Sequence, residues 1–237
     1  MNKVALNRFK DKSFSVVGLL STLIGIILLF VFIGNIVIEG IQRIDWDFLT
    51  SLPSRKPEKS GIYTAMMGTV WVLFITTIIS FPIGVAAGVY LEEYSTKGRL
   101  ARILEVNISN LAGVPSIIYG LLGLEIFARV FGLGPSVLTG SMTLSLLILP
   151  IIIVATRESI KAVPQSIRDA SFALGASKWQ TTYFQVLPAS FGGILTGVIL
   201  ALSRAVGEAA PLIVVGALAY VPFAPKKYIS RNRSANN

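Results

Sequence analysis

The stretch SFSVVGLLSTLIGIILLFVFIGNIVI, residues Ser13–Ile38, contains no Asp, Glu, Lys or Arg. A helix needs about 20 consecutive apolar residues to cross a bilayer, so this stretch is long enough. A secretory signal peptide would have a shorter apolar region, of about 7–15 residues. The sequence therefore predicts a retained first span at about residues 16–38, and the basic residues before it predict a cytoplasmic N-terminus. Those basic residues are Lys3, Arg8, Lys10 and Lys12.

The rest of the chain repeats this pattern. Only 14% of the residues are charged and 53% are hydrophobic, whereas soluble proteins carry about 25% charged residues. The other charge-free runs are Gly61–Leu91, Val130–Thr156, Trp179–Ser203 and the shorter Val106–Leu124. These runs predict an all-α integral membrane protein, a helical bundle of five to six transmembrane spans. The sixth would be Ala209–Ala224, which would return the basic tail to the cytoplasm.

The composition excludes several classes of function. The chain has no Cys and no His, which removes thiol nucleophiles, disulfides, thiolate metal sites and histidine acid–base chemistry. The net charge of +9 is carried by residues at the ends of apolar runs, where they orient helices, so we expect no nucleic-acid partner. No Gly-x-x-x-x-Gly-Lys-Ser/Thr loop occurs, so we expect any ATP hydrolysis on another chain.

The shorter run contains small residues and a proline. From Asn110 it reads NLAGVPS, and Pro115 weakens the hydrogen bonds of a continuous helix. Small residues let helices approach closely. Two interpretations remain open, a broken helix that lines a cavity and a plain helix that packs tightly.

The segment Arg157–Pro188 is the most polar long connection and is predicted to lie in the cytoplasm. Ile167, Ala170, Ser171 and Leu174 have the spacing of one helix face. Ser166 is a candidate N-cap, and Gly175 stands where a glycine would end the helix. A second helix is predicted to begin near Ser177. Such a helix is suited to dock another protein or to lie on the lipid surface, and the residues alone do not decide between the two.

The same segment resembles the EAA loop of ABC-importer permeases. The matching residues are Asp169, Ala170, Ser171, Gly175, Gln185, Leu187 and Pro188. The spacing is that of the family, while Asp replaces Glu, Ser replaces the second Ala and Gln replaces Ile. The resemblance implies that this loop couples the chain to a separate ATPase subunit, through Asp169, Ala170, Ser171, Gly175, Leu187 and Pro188.

Further motifs resemble the permeases of the Pst phosphate importers, and the last of them resembles the A-type subunit. They are GVPSIIYGLLG at 113–123, AVPQSIR at 162–168, SRAVGE at 203–208 and GEAAPL at 207–212. The resemblance implies the ABC type I importer (MetI-like) fold and the transport of inorganic phosphate across the bacterial or archaeal cell membrane. It also implies a C-type permease subunit, a dimer of ATP-binding subunits and an external phosphate-binding protein as partners. ATP and Mg would be bound by the ATPase, with no cofactor on this chain.

Two charges stand between apolar segments near the end of the chain. Arg204 and Glu208 are four residues apart, so on a helix they share a face and can pair. Ionisable groups at membrane depth are costly and usually face a cavity or a partner, and a guanidinium suits phosphate oxygens. The pair is predicted to line the substrate pathway. The alternatives are a structural ion pair between packed helices and a pair at the outer membrane interface.

The sequence divides into three regions. Residues 1–60 form an N-terminal span and outer loop, 61–225 the permease core with its loop at 157–188, and 226–237 an atypical basic tail. The resemblance fades after Pro225, and we expect a chain shortened relative to the family. Alternative functions are a permease for another oxyanion such as sulfate or molybdate, a membrane enzyme, and a membrane scaffold.

Overall fold

The computed structural model of the chain describes residues 3–56, 59–95, 98–111 and 113–216, and every regular element in these residues is helical. The all-α prediction is confirmed. Three helices continue into a π-helical turn, at Tyr90–Tyr94, Leu124–Val130 and Thr182–Val186. The α-helices are α1 Lys3–Ile41, α2 Trp46–Thr50, α3 Tyr63–Val89, α4 Arg99–Leu111, α5 Ser116–Gly123, α6 Val137–Lys161, α7 Gln165–Ala173, α8 Lys178–Thr181, α9 Leu187–Val206 and α10 Ala210–Val214.

The chain divides into two compact units, residues 1–63 and 64–237. The first unit holds α1 and α2. The most apolar window of α1 has a mean hydropathy of 2.9 and no buried residue, as expected for a helix that faces lipid. Asp45 caps α2 by accepting a hydrogen bond from the backbone N–H of Phe48 at 2.7 Å. The Phe48 carbonyl in turn accepts one from the N–H of Ile62 at 2.9 Å, which closes the loop after α2.

In the second unit α6 is the central helix, and α9 packs along it. About half of the residues of α6 are buried, including Ile148 and Ile152, which are fully enclosed. Ile194 and Ala201 of α9 belong to the same apolar cluster. Because lipid is as apolar as these side chains, close packing rather than transfer from water stabilises this contact.

Hydroxyl groups and small residues join α3 to α6. Thr76 Oγ1 donates to the carbonyl of Ser141 at 3.2 Å, and Ser141 Oγ donates to that of Val72 at 3.2 Å. Ser145 Oγ donates to the carbonyl of Thr76 at 3.3 Å. We call these three bonds the hydroxyl ladder. Toward the other end of α3, Gly88 lies so close to Thr156 that a Cβ atom there would collide with it.

The helix predicted over the shorter charge-free run is broken. α4 ends at Leu111 and α5 begins at Ser116, with Pro115 as the N-cap residue of α5. Tyr119 donates its phenol hydrogen to the Leu111 carbonyl at 2.8 Å, which satisfies one acceptor at the break. The interpretation as a plain continuous helix is therefore wrong.

This break explains the number of spans. Four helices among the described residues are long and apolar enough to cross a membrane, fewer than the five to six predicted from charge-free runs. They cover Lys10–Ile41, Tyr63–Tyr94, Val137–Lys161 and Lys178–Val206. α10 covers only the start of the predicted sixth crossing. Residues 217–237, which include the rest of that crossing and the basic tail, lie outside the described residues.

Candidate functional site

The predicted cytoplasmic loop contains α7, which begins after Pro164 and ends at Ala173. Gly175 has a φ of +84°, its N–H bonds to the Phe172 carbonyl, and the next N–H bonds to that of Ser171. These two bonds form a Schellman motif, so the predicted helix-ending role of Gly175 is confirmed. The predicted N-cap at Ser166 is wrong because Pro164 is the N-cap residue and the helix begins at Gln165, two residues earlier than a Ser166 cap implies.

A second short helix follows directly. Ser177 caps α8 and accepts a hydrogen bond from the N–H of Gln180, whose side chain accepts one from the Ser177 N–H in return. This capping box confirms the predicted start near Ser177. Ser171 Oγ and Thr181 Oγ1 lie 2.9 Å apart and join α7 to α8.

The predicted coupling residues are mostly accessible. Asp169 and Ala170 are exposed, and Asp169 accepts a hydrogen bond from Gln165 of the same helix at 3.1 Å. Leu174 is 89% exposed. Ile167, in contrast, is half-buried and packs against the apolar cluster of Ile160, Val163 and Val186. The outer side of α7 is therefore free, among the described residues, to contact another molecule.

The remaining two residues of that prediction lie at the start of α9. Leu187 packs against the apolar cluster around α6, and Pro188 is exposed at the first turn of the helix. Pro188 closely follows the π-helical turn Thr182–Val186, inside the continuous helix Lys178–Val206, and turns of this kind are a usual site of helix irregularity. Both residues are separated from Asp169 along the chain by the short α8 and its π-helical turn.

Arg204 and Glu208 are brought together, as their spacing predicts. Arg204 Nε lies 3.5 Å from Glu208 Oε1. α9 ends at Val206, so Arg204 is in its last turn and Glu208 lies in the short connection before α10. The side chain of Arg204 is 48% exposed and that of Glu208 is 20% exposed. The contact is long and uses only the Nε–H of Arg204, so the other guanidinium donors have no hydrogen-bond acceptor among the residues that the structure describes.

The packing of α9 against α6 gives the depth of this pair. Gly193 lies against Ser159, and four residues later Gly197 lies against Ala155. Continuing this antiparallel step brings Arg204 level with Ile148, about halfway along α6. Ala205 and Ile148 share one buried cluster, in agreement with this register. An exposed arginine therefore lies near the middle of the charge-free run of α6, where lipid contact is costly.

Sequence reasoning missed a second group of charges, at the other end of these helices. Arg168 of α7 donates two hydrogen bonds to Glu93 Oε1, at 2.8 and 3.1 Å. Arg157 of α6 lies 3.3 Å from Glu92 and 3.2 Å from Glu105. From the sequence alone, these charged residues were interpreted only as loop residues that orient the membrane helices. The adjacent pair Glu92 and Glu93 was a signal, but the partners lie 65 to 75 residues away along the chain.

The family described as "Binding-protein-dependent transport system inner membrane component" matches residues 80–230. Among curated proteins, the "Probable ABC transporter permease protein YqgI" of Bacillus subtilis is 33% identical over 85% of this chain and 68% of its own length. The "Phosphate transport system permease protein PstA" of Yersinia pestis is 34% identical over 89% of this chain and 72% of its own length. The chain spans 58% of the length of a Mycobacterium tuberculosis relative, "PstA 1", at 35% identity.

The fold has relatives among solved structures. The chain matches the MetNI methionine ABC transporter in an inward-facing conformation, with a TM-score of 0.53 and 19% sequence identity. The match covers 63% of this chain and 71% of the other. The predicted MetI-like fold is confirmed.

Proposed function

The chain belongs to the binding-protein-dependent transport system inner membrane components as a PstA-like ABC-importer permease, and on this premise we propose that it conducts inorganic phosphate as the A-type subunit of a phosphate importer. Permeases of this family are transport subunits and not enzymes. The proposed substrate rests on the phosphate transport permeases to which the chain is 34–35% identical.

The observation that carries the proposal is the half-exposed Arg204 at mid-depth. A cation there needs a water-filled cavity or a partner, because contact with hydrocarbon is unfavourable. A guanidinium offers five donors in a planar fork that matches the oxygens of a phosphate. In this proposal Arg204 contacts the passing anion. Glu208 orients the guanidinium and moderates its charge, so that the anion binds weakly enough to leave.

The coupling loop supplies the second half of the proposal. A pathway between two permease subunits needs a second chain, for which we propose a C-type permease subunit. The exposed side of α7, with Asp169 and Ala170, would fit a groove on an ATPase dimer, which would bind ATP and Mg. Gly175 would fix the end of that helix, while Leu187 and Pro188 would connect the loop to the membrane helix in the first turn of α9. An external phosphate-binding protein would deliver the substrate to the opposite face.

The test is uptake of radiolabelled phosphate in cells that lack their own A-type subunit. This chain is supplied together with a C-type subunit, the ATPase and the phosphate-binding protein. Sulfate and molybdate uptake are measured in parallel, with the corresponding binding proteins. Membrane insertion of the chain is checked by fractionation.

Phosphate uptake that depends on this chain and on ATP is the expected result. Uptake of sulfate or molybdate without phosphate would overturn the assignment of substrate and favour the other oxyanion. No uptake of any anion by an inserted and assembled chain would overturn the proposal as a whole.

A further inference from the structure

The guanidinium of Arg168 joins three separate helices. It donates to Glu93 Oε1, at the π-helical end of α3, and it donates to two backbone carbonyls. These carbonyls belong to Ile160, in the last turn of α6, at 3.0 Å and to Val163, just beyond α6, at 2.7 Å. Arg168 itself is part of α7. One side chain therefore links the loop helix to the ends of both α3 and α6.

This contact is largely shielded from solvent. The Arg168 side chain is 12% exposed and that of Glu93 is 11% exposed, whereas the pair of Arg129 and Glu125 is 66% and 59% exposed. Exposed ion pairs contribute little because water and salt screen them, but a shielded pair with several hydrogen bonds holds its geometry. The carbonyls at the end of α6 also carry the negative end of its helix dipole, which favours a cation there.

Two adjacent carboxylates in the π-helical turn of α3 bind different arginines, because neighbouring residues of a helix point in different directions. Tyr90–Tyr94 is wound more widely than an α-helix. Glu92 lies 3.3 Å from Arg157 of α6, while Glu93 binds Arg168 of α7. The end of α3 is thus attached to α6 and α7 by neighbouring residues.

We propose that Arg168 is a positioning residue that, with Glu93, forms the mechanical joint through which a displacement of α7 reaches α3 and α6 together. This inference rests on the proposed coupling of α7 to an ATPase. It adds the route by which the movement enters the membrane helices. Asp169, the next residue, lies on the exposed side, so adjacent residues of α7 serve the outer contact and the inner joint. Without the joint, α7 would keep its short covalent connection to α6 and the apolar packing of Ile167, but it would lose its charged attachment to α3.

The first experiment measures the joint in the full chain in lipid nanodiscs, without any partner. Because the sequence contains no cysteine, spin labels are attached at Ala86→Cys on α3 and Ala173→Cys on α7, both at exposed positions. We expect one narrow distance distribution in the otherwise unchanged chain. Arg168→Gln and Glu93→Gln should each broaden or shift it, and Arg129→Gln is the matched control that leaves it unchanged.

The second experiment uses the unlabelled variants in the assembled importer and measures uptake per ATP hydrolysed. We expect this ratio to fall about tenfold in Arg168→Gln while ATP hydrolysis persists. The double variant with Glu93→Gln should stay within about twofold of that value because both changes break the same joint. If Arg168 had only a structural role, the substitution would reduce the amount of inserted protein. Uptake and ATP hydrolysis would then fall together, and their ratio would not change.

The outcomes separate the joint from the transport function. An unchanged distance distribution in both Arg168→Gln and Glu93→Gln would overturn the joint, whatever happens to uptake. A broadened distribution with an unchanged uptake ratio would overturn its role in coupling. If Arg168→Gln fails to insert, the joint is tested with Glu93→Gln alone. This variant removes the carboxylate but keeps the contacts of Arg168 with the two backbone carbonyls. Failure of the unchanged chain to transport counts against the proposed function, while the distance measurement still tests the joint.

Discussion

At Gly175 the backbone φ of +84° lies in the region that any residue with a Cβ atom adopts only at a cost of about 1–2 kcal/mol. We predict that Gly175→Val loosens the end of α7 and lowers uptake per ATP hydrolysed, while the chain still inserts. A β-branched residue is especially unfavourable there, because it crowds its own backbone. The measurement is the ratio of phosphate uptake to ATP hydrolysis in the assembled importer.

Gly192 is the control for this change. It lies inside α9 with a helical backbone, and a Cβ atom would meet nothing within 4 Å. Because Ala favours helices over Gly by about 1 kcal/mol, Gly192→Ala should keep or raise the thermal stability of the chain in detergent. Equal coupling in Gly175→Val and the unchanged protein would refute the role of the helix end.

Arg204 gives a prediction about the substrate pathway. Arg204→Gln removes the charge and leaves the carboxylate of Glu208 without its partner. A hydrogen bond to a charged group contributes about 1.5–3 kcal/mol, so phosphate uptake should fall by roughly 10-fold or more. The measurement is initial uptake rate at matched amounts of assembled transporter.

The exposed pair of Arg129 and Glu125 is the matched control for this prediction. Its atoms lie 2.7 Å apart, so the geometry is better than that of Arg204 and Glu208, but both side chains are open to the surroundings. Arg129→Gln should change uptake by less than about twofold. If Arg204→Gln behaves in the same way, Arg204 has only a structural role.

At the residue scale, local signals were predictable and distant partners were not. The position of Gly175 follows from helix-end chemistry over a few residues, and the pairing of Arg204 with Glu208 follows from their spacing. The partnership of Arg168 with Glu93 depends on how α3, α6 and α7 assemble, and no local pattern encodes it.

Among the helices, the contact of α3 with α6 depends on the small size of Gly88. We predict that Gly88→Leu forces the two helices apart, because the added side chain collides with Thr156 and approaches the Ile153 carbonyl. Overpacking of this kind costs about 1–3 kcal/mol. The midpoint of thermal unfolding in detergent should fall by several degrees, as measured by fluorescence or circular dichroism.

Gly68 on the same helix is the control. A Cβ atom there would meet nothing within 4 Å, so Gly68→Leu should leave the unfolding midpoint almost unchanged. An equal loss of stability in both variants would show that helix α3 disfavours leucine in general, and that the close approach at Gly88 is not the cause.

The sequence predicted the three long apolar helices α3, α6 and α9 of the second unit. It predicted only some of the breaks and π-helical turns in the helices. Pro115 indicated the break between α4 and α5, but the sequence was equally compatible with a continuous helix. The three π-helical turns share no amino-acid pattern by which the sequence could identify them. They form where packing against neighbouring helices favours a wider turn, so only the assembled fold reveals them.

For the whole chain, the sequence predicts which segments lie on each side of the membrane. Single cysteines at Asn7, Val130 and Gln180 report on this, because the chain has no other cysteine. We predict that a membrane-impermeant maleimide added outside intact cells labels Val130→Cys alone. Asn7→Cys and Gln180→Cys should react only after the cytoplasmic side is opened.

The opposite labelling pattern would contradict the cytoplasmic N-terminus, and labelling of Gln180→Cys from outside would contradict the position of the coupling loop. A fully denatured sample confirms that each cysteine is able to react. The prediction uses only the distribution of basic residues and the apolar runs, so it tests the sequence argument directly.

The hydroxyl ladder between α3 and α6 has a consequence for the temperature dependence of the protein. Side chains that pack there leave lipid and not water, so little apolar hydration is lost and the associated change in heat capacity is small. The curve of association free energy against temperature should then be nearly straight, without the fall at low temperature that weakens water-driven cores. Cooling should therefore strengthen the contact of α3 with α6 for as long as the bilayer remains fluid.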